Sequence, residues 1–310
     1  PAFQKEDTMS SIRNFKDMAS QLAQRGVRKR TAVICATDES TQQSVAMAIQ
    51  QGWMEAVMIG CTDQVKQSQP LMACSQHLSF IEAENDQEAA EKAVAMVKEG
   101  TVDLIMKGLI STDVVIRAIL DKEKGILPAG NVLTHVTAAS IPDYHKLLFF
   151  TDAAVIPYPT QEQRYMQIKY ITQLCHQFGI SQPKVALIHC SEKVNAKHFP
   201  FTAGYASLIE QAKAGDFGPC IVDGPLDLKV ACNLHSMQVK RIDSPIQGSA
   251  DALVFPDIEA GNLFYKTITL FAHGETACML QGTQCPVVLP SRGDDVMSKF
   301  NSLALACLHC

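Results

Sequence analysis

The chain has 310 residues, 47% of them hydrophobic and 19% charged, and a formal net charge of −5. That length exceeds one ordinary compact core and suits two domains of common size, and the composition excludes a disordered or fibrous chain. The acidic balance excludes a general nucleic-acid or anionic-membrane binder, because both need a basic surface.

Eleven cysteines, an odd number, are scattered along the chain. Cys35 and Cys220 sit inside apolar runs. This pattern predicts reduced, buried thiols in a cytoplasmic protein rather than a disulfide framework. No apolar signal core occurs in the first twenty residues and no run reaches transmembrane length, so no membrane partner is expected.

In chain order, Ile12, Phe15, Met18 and Leu22 fall at helical spacing before Gly26. Residues 31–37 predict a buried strand, 41–51 a helix and 56–60 a second strand. Asn85 or Asp86 is placed to cap a helix carrying Ala89, Ala93, Val94 and Val97, which Gly100 stops. Residues 103–106 predict a strand, and Ser111 or Thr112 caps a helix ending near Leu120. Downstream, strands are predicted over 147–150, 184–190, 220–223, 252–255, 277–280 and 286–289. Helices are predicted over 161–178, 202–213, 258–271 and 294–308. Strands this apolar, alternating with helices, imply an α/β protein with a mostly parallel sheet covered on both faces. The Gly- and Pro-bearing stretch 125–131 is the expected crossover between domains.

In such folds ligands bind where loops leave the carboxyl ends of strands, so the polar residues just after each strand matter most. Lys107-Gly108 followed by Ser111-Thr112 is one such place. A helix start offers free N–H groups and a positive dipole end, Lys adds charge, and Gly permits close approach of a phosphate. The same residues also fit a capped helix with an exposed Lys. Ser291-Arg292-Gly293 is a second such place, where Arg suits a forked grip on phosphate or carboxylate; a surface Arg near a helix cap fits equally. Asp257, Glu259, Asn262 and Lys266 gather at the start of one helix. Gly261 and Asn262 are poor helix-interior residues unless something requires them. His135 and His189 lie at or near apolar runs and are expected to be satisfied histidines of the core or of the layer behind a site. Cys307 and Cys310 form a lone C-x-x-C pair without a second ligand pair, so no metal is expected.

These segments, together with Leu148–Ala154, Ile221–Leu226, Pro286–Arg292 and Asn301–Ala304, resemble the phosphate acetyltransferase and phosphate butyryltransferase family, and its butyryl branch in particular. The resemblance runs from about Val102 to the C-terminus. It implies two α/β domains with mostly parallel sheets and a cleft between them, as in isocitrate and isopropylmalate dehydrogenases. The expected first domain is residues 1–131 plus 281–310, and the expected inserted domain is 132–280. The implied reaction is acyl-CoA plus phosphate giving acyl phosphate plus CoA, with a homodimer as the assembly. Coenzyme A would be a substrate, with no tightly bound cofactor and no metal. By resemblance, Ser291 and Arg292 are catalytic. Lys107, Gly108, Ser111, Thr112, Asp257, Asn262 and Lys266 are on the phosphate and CoA side. Two departures stand out. Ser298 occupies the place of the acetyl branch's Asp, which leaves Asp294 and Asp295 as candidate replacements for the base, and Ile156 replaces an expected Asn. A noncatalytic acyl-CoA sensor and an acetyl-preferring enzyme are the alternative readings. A dehydrogenase is disfavoured, since no matching carboxylate cluster is seen.

Overall fold

The computed structural model describes residues 11–291 and 293–310. Side-chain caps define many of its helices. Asn14 accepts from Asp17 N to open α1 (Phe15–Arg25), which Gly26 ends in the left-handed region. After β1 (Lys29–Ile34), Asp38 caps α2 (Glu39–Gln50). There follow β2 (Met54–Ile59), the single turns α3 (Thr62–Val65) and α4 (Gln69–Met72), and β3 (Leu78–Ile81). Asn85 caps α5 (Asp86–Lys98); β4 (Leu104–Lys107) then leads through a four-residue loop into α6 (Thr112–Ile119).

The next segment holds β5 (Thr134–Ser140) and β6 (Leu148–Thr151), then α7 (Gln161–Gln177), opened by a reciprocal capping box between Thr160 and Gln163. It continues with β7 (Lys184–Ile188), α8 (Tyr205–Ala214), β8 (Ile221–Leu226), α9 (Leu228–Cys232), α10 (Leu234–Val239), β9 (Ala252–Val254), α11 (Ile258–Phe271) and β10 (Glu275–Gln281). Strand β11 (Val287–Val288) and α12 (Val296–His309) complete the chain.

Among the described residues, eleven strands join one sheet in the order β3-β2-β1-β4-β11-β10-β5-β6-β9-β7-β8. The α/β class and the mostly parallel sheet are as expected. Antiparallel pairing is confined to β11–β10, β10–β5 and β5–β6. The parallel block β3-β2-β1-β4-β11 therefore runs opposite to the block β6-β9-β7-β8. The loops that follow β4 and β11 in one block, and β6 and β9 in the other, approach the middle of the sheet from opposite directions.

Strand β5 is absent from the sequence-based expectation. Its residues Thr134-His135-Val136-Thr137-Ala138-Ala139 lack an apolar run, yet all six are buried. Small and hydroxyl-bearing side chains fill narrow space here, and Thr134 bonds Thr151 and Asp152. Helix α12 is buried along residues 301–308 and packs against β10 and α2. A buried ion pair fixes that second contact: Lys299 Nζ lies 2.7 Å from Asp38 Oδ2 and donates to Ser40 and Thr41. Burial alone would raise the Asp38 pKa, but hydrogen bonds from Lys299, Thr41 and Ser40 bring it down to about 2.

Candidate active site

A cleft of about 590 Å³ lies over the middle of the sheet, where the strand direction reverses. Helix α11 and the first turn of α6 form two walls. The loops 153–155 and 289–294 close it further, and His135, Cys278 and Leu280 form the floor. In the antiparallel register His135 faces Leu280 and Thr137 faces Cys278, so alternate residues of β5 and β10 share this face.

Four of the sequence-predicted site residues meet in this cleft: Thr112, Asn262, Lys266 and Ser291. Lys107, Gly108, Ser111 and Asp257 are not among its lining residues. Lys107 is buried, and its Nζ donates to the carbonyls of Gly108 and Ile110, both at 3.1 Å. It therefore shapes the loop that delivers Thr112. Gly108 is required by packing, since a Cβ there would strike the carbonyl oxygen of Cys35 on the neighbouring loop. Ser111 precedes α6 without a side-chain cap bond. Asp257 caps α11, accepting from Ala260 N at 2.8 Å. Arg292 lies outside the described residues.

The awkward Gly261-Asn262 pair in α11 now has a physical cause. Helix α11 runs so close to the loop after β6 that a Cβ on Gly261 would strike the carbonyl oxygen of Asp152. Asn262 Nδ2 donates to the next carbonyl, Ala153 O, at 2.9 Å. Both residues seat the helix against the loop, which sets the width of the cleft.

Asp152 organises that loop from below. It is 1% exposed and accepts from Thr134 Oγ1, from His135 N, and from the backbone N–H groups of Ala154, Val155 and Ile156. Five donors satisfy a carboxylate that would otherwise be costly to bury.

On the opposite wall, Asp294 holds the segment before α12. Its carboxylate accepts from Ser291 N at 2.7 Å and from the Tyr265 hydroxyl at 3.2 Å. Asp295 caps α12 through Ser298 N at 2.7 Å. Ser298 thus takes part through its backbone, and its carbonyl accepts from Ser302 Oγ. Burial pushes the Tyr265 hydroxyl and the Cys278 thiol upward, the latter to about 12. Cys278 is consequently a protonated packing group at neutral pH, not a nucleophile.

The expectation for His135 holds for its burial and fails for its hydrogen bonding. It is 6% exposed, as a core histidine would be, but its ring forms part of the cleft floor and its Nδ1 has no hydrogen-bond partner among the described residues. His189 does match the core reading, packed edge-on against Phe199 and Phe201. Among the described residues no group of three or more His, Cys, Asp or Glu is placed to hold a metal, and no helix is long and apolar enough to cross a membrane.

The fold and cleft define an α/β enzyme whose site combines hydroxyls, an amide and an ammonium with an apolar floor. Comparison with known proteins makes this specific. The phosphate acetyl/butaryl transferase family matches residues 81–307. A phosphate butyryltransferase of Clostridium acetobutylicum is 33% identical over 298 residues, covering 96% of this chain and 98% of the relative. A phosphate acetyltransferase of Thermotoga maritima is 33% identical over 285 residues, covering 92% and 96%. Among solved structures, a branched-chain phosphotransacylase from Enterococcus faecalis superposes with a TM-score of 0.78 at 28% identity, covering 90% of this chain and 99% of that one. The chain belongs to the phosphate acetyl/butaryl transferase family.

Proposed function

We propose that this enzyme moves a short acyl group between coenzyme A and inorganic phosphate, interconverting acyl-CoA plus phosphate with acyl phosphate plus CoA. The carrying observation is the cleft itself, in a chain whose family membership spans the residues that build it. Lys266, Thr112, Asn262 and Ser291 supply a cation and hydrogen-bonding groups on its walls. Ala153, Ala154, Val155, Leu280 and Leu289 supply an apolar space for an acyl chain. Neither ligand needs a covalent enzyme intermediate: the thiolate attacks the acyl-phosphate carbonyl, and the protein aligns the two and stabilises developing charge.

In this reading Ser291 and Arg292 act at the reacting centre. Lys107, Gly108 and Ser111 act by shaping the phosphate-side loop, and Asp257 by starting α11. CoA is a substrate, and no cofactor is held between turnovers. The apolar lining, with the butyryl-type segment Met106–Thr112, supports a preference for four- or five-carbon acyl groups. Free thiol release from acetyl-, butyryl- and isobutyryl-CoA with phosphate should rank the last two above acetyl in kcat/KM. A clear acetyl preference sinks the chain-length assignment. Tight acyl-CoA binding with no release from any of them would leave the sensor reading in its place.

We also read residues 1–131 plus 281–310 and residues 132–280 as two units, because β5 to β10 form one contiguous side of the sheet order. The proposed assembly is a cytoplasmic homodimer. Eleven free cysteines support a reducing compartment, and the exposed Leu263, Leu270 and Phe271 on α11 support an apolar contact. Sedimentation should give twice the 33.9 kDa chain mass, and a monomer at micromolar concentration would refute the dimer.

A further inference from the structure

The titratable groups of the cleft are nearly all engaged elsewhere. Asp294 bonds Ser291 N and the Tyr265 hydroxyl. Asp152, at the end of β6, is saturated by five donors. From α11, Glu259 meets the Tyr158 hydroxyl, Tyr265 is tied to Asp294, and Lys266 is a cation. Cys278, on β10, is a buried thiol hydrogen-bonded with Thr137. The exception is His135: its ring lines the cleft, and the buried Nδ1 has no hydrogen-bond partner among the described residues. An unpaired buried polar atom is unfavourable, and on a ring that also lines a cleft, a ligand, a water or a proton met there is one cause that accounts for it.

We propose that His135 is the base that takes the proton of the CoA thiol. This rests on the acyl-transfer reading above. The thiol proton passes to the imidazole lone pair, and the sulfur electrons form the C–S bond at the acyl-phosphate carbonyl. The adduct collapses, the C–O bond to phosphate breaks, and its electron pair leaves with phosphate. The imidazolium then returns its proton to the departing phosphate, giving hydrogen phosphate and the neutral ring. Run backwards, the same imidazolium protonates the leaving thiolate.

The charge distribution favours this role over hydrogen-bond donation to an oxyanion. Asp152 and Asp294 both act electrostatically on the ring, and two carboxylates stabilise an imidazolium while opposing a negative oxygen beside it. Burial, the dominant influence, keeps the ring neutral until a thiol delivers a proton. A free thiol, with a pKa of about 8.5, is mostly protonated at neutral pH, so a base is useful there.

The test uses butyryl phosphate and CoA with the full chain. His135→Gln and His135→Asn should each lower kcat about 10²-fold at pH 6.5 with little change in the KM for CoA, the usual size of a general-base contribution. The defect should shrink at least tenfold by pH 9, where CoA supplies its own thiolate. A deficit equal at both pH values, or kcat within threefold of wild type at pH 6.5, overturns the proposal. If neither variant folds, the wild-type profile decides. A base makes kcat/KM for CoA nearly flat from pH 7 to 8.5, whereas a rise of tenfold per unit following the thiolate overturns it. A wild-type chain that turns over no acyl phosphate fails the acyl-transfer reading and this one together; an active wild type with unaffected variants fails this one alone.

Discussion

Replacing Arg292 with alanine is expected to lower kcat/KM for acyl transfer about 10²-fold or more while leaving the melting temperature unchanged. Both substrates carry phosphate groups, and the net charge of the chain is −5, so binding depends on cations concentrated locally. Among the described residues that line the cleft, Lys266 is the one Lys or Arg. Ser291, the residue before Arg292, lines the same cleft and is fixed there by the Asp294 carboxylate. A guanidinium carried on that segment suits two parallel hydrogen bonds to one phosphate. Charge-assisted contacts of this kind contribute about 1.5–3 kcal/mol each, and each 1.36 kcal/mol is tenfold in rate. Arg292→Lys should recover only part of the loss, since Lys has charge but no fork. Steady-state kinetics of both variants are the measurement, and wild-type values in the alanine variant would remove Arg292 from the site.

The sheet was legible wherever a strand is an apolar run between helices. The runs 31–37, 56–60, 103–106 and 252–255 became β1, β2, β4 and β9, because strands covered on both faces must be apolar on both. What escaped was β5, whose Thr and Ala residues are buried by hydrogen bonding and close packing rather than by hydrophobicity. Its absence hid the centre of the molecule. The reversal of strand direction depends on β5 pairing antiparallel with both β10 and β6, and the cleft floor depends on the face that His135 shares with Leu280. The edge strand β3 and the short helices α9 and α10 were missed as well, having too few residues to show a period.

For the site, the helix starts carried most of the signal. Thr112 opens α6, and Asn262 and Lys266 lie one and two turns into α11, so a strand–loop–helix reading placed them at one edge. That reading could not separate a residue that meets the cleft from one that builds its frame. Lys107 and Gly108 look like a phosphate loop in sequence, yet one is tied to carbonyls and the other is forced by a neighbouring backbone. Asp152 appeared only as part of a motif, because five donors drawn from residues 134 to 156 converge on it only in three dimensions. The signal that could have found His135 was local. A histidine flanked by Thr134, Val136 and Thr137 just after the crossover is β-branched company, which favours a strand.

Asp152→Asn is expected to be the most destabilising conservative change in the protein. The carboxylate divides its acceptors: Oδ1 takes Ala154 N at 2.7 Å and Val155 N at 2.8 Å, while Oδ2 takes Thr134 Oγ1 at 2.8 Å, His135 N at 3.1 Å and Ile156 N at 3.3 Å. An asparagine keeps one oxygen and must turn its NH₂ toward the other set. At least two donors would then face a donor in a site closed to water, since Asp152 is 1% exposed. Each buried group left unpaired costs about 1–3 kcal/mol, so a total of about 3 kcal/mol or more is expected. At roughly 2–4 °C per kcal/mol for a chain of this order of size, the melting temperature should fall by about 10 °C. Activity should fall with it, because residues 153–155 line the cleft and Asn262 is anchored on Ala153 O. Asp257→Asn is the control, as asparagine caps a helix about as well as aspartate and a change of no more than 1–2 °C is expected there. Calorimetry on the two variants decides the matter: an Asp152→Asn protein melting within 2 °C of wild type would mean that this carboxylate does not hold the cleft loop in place.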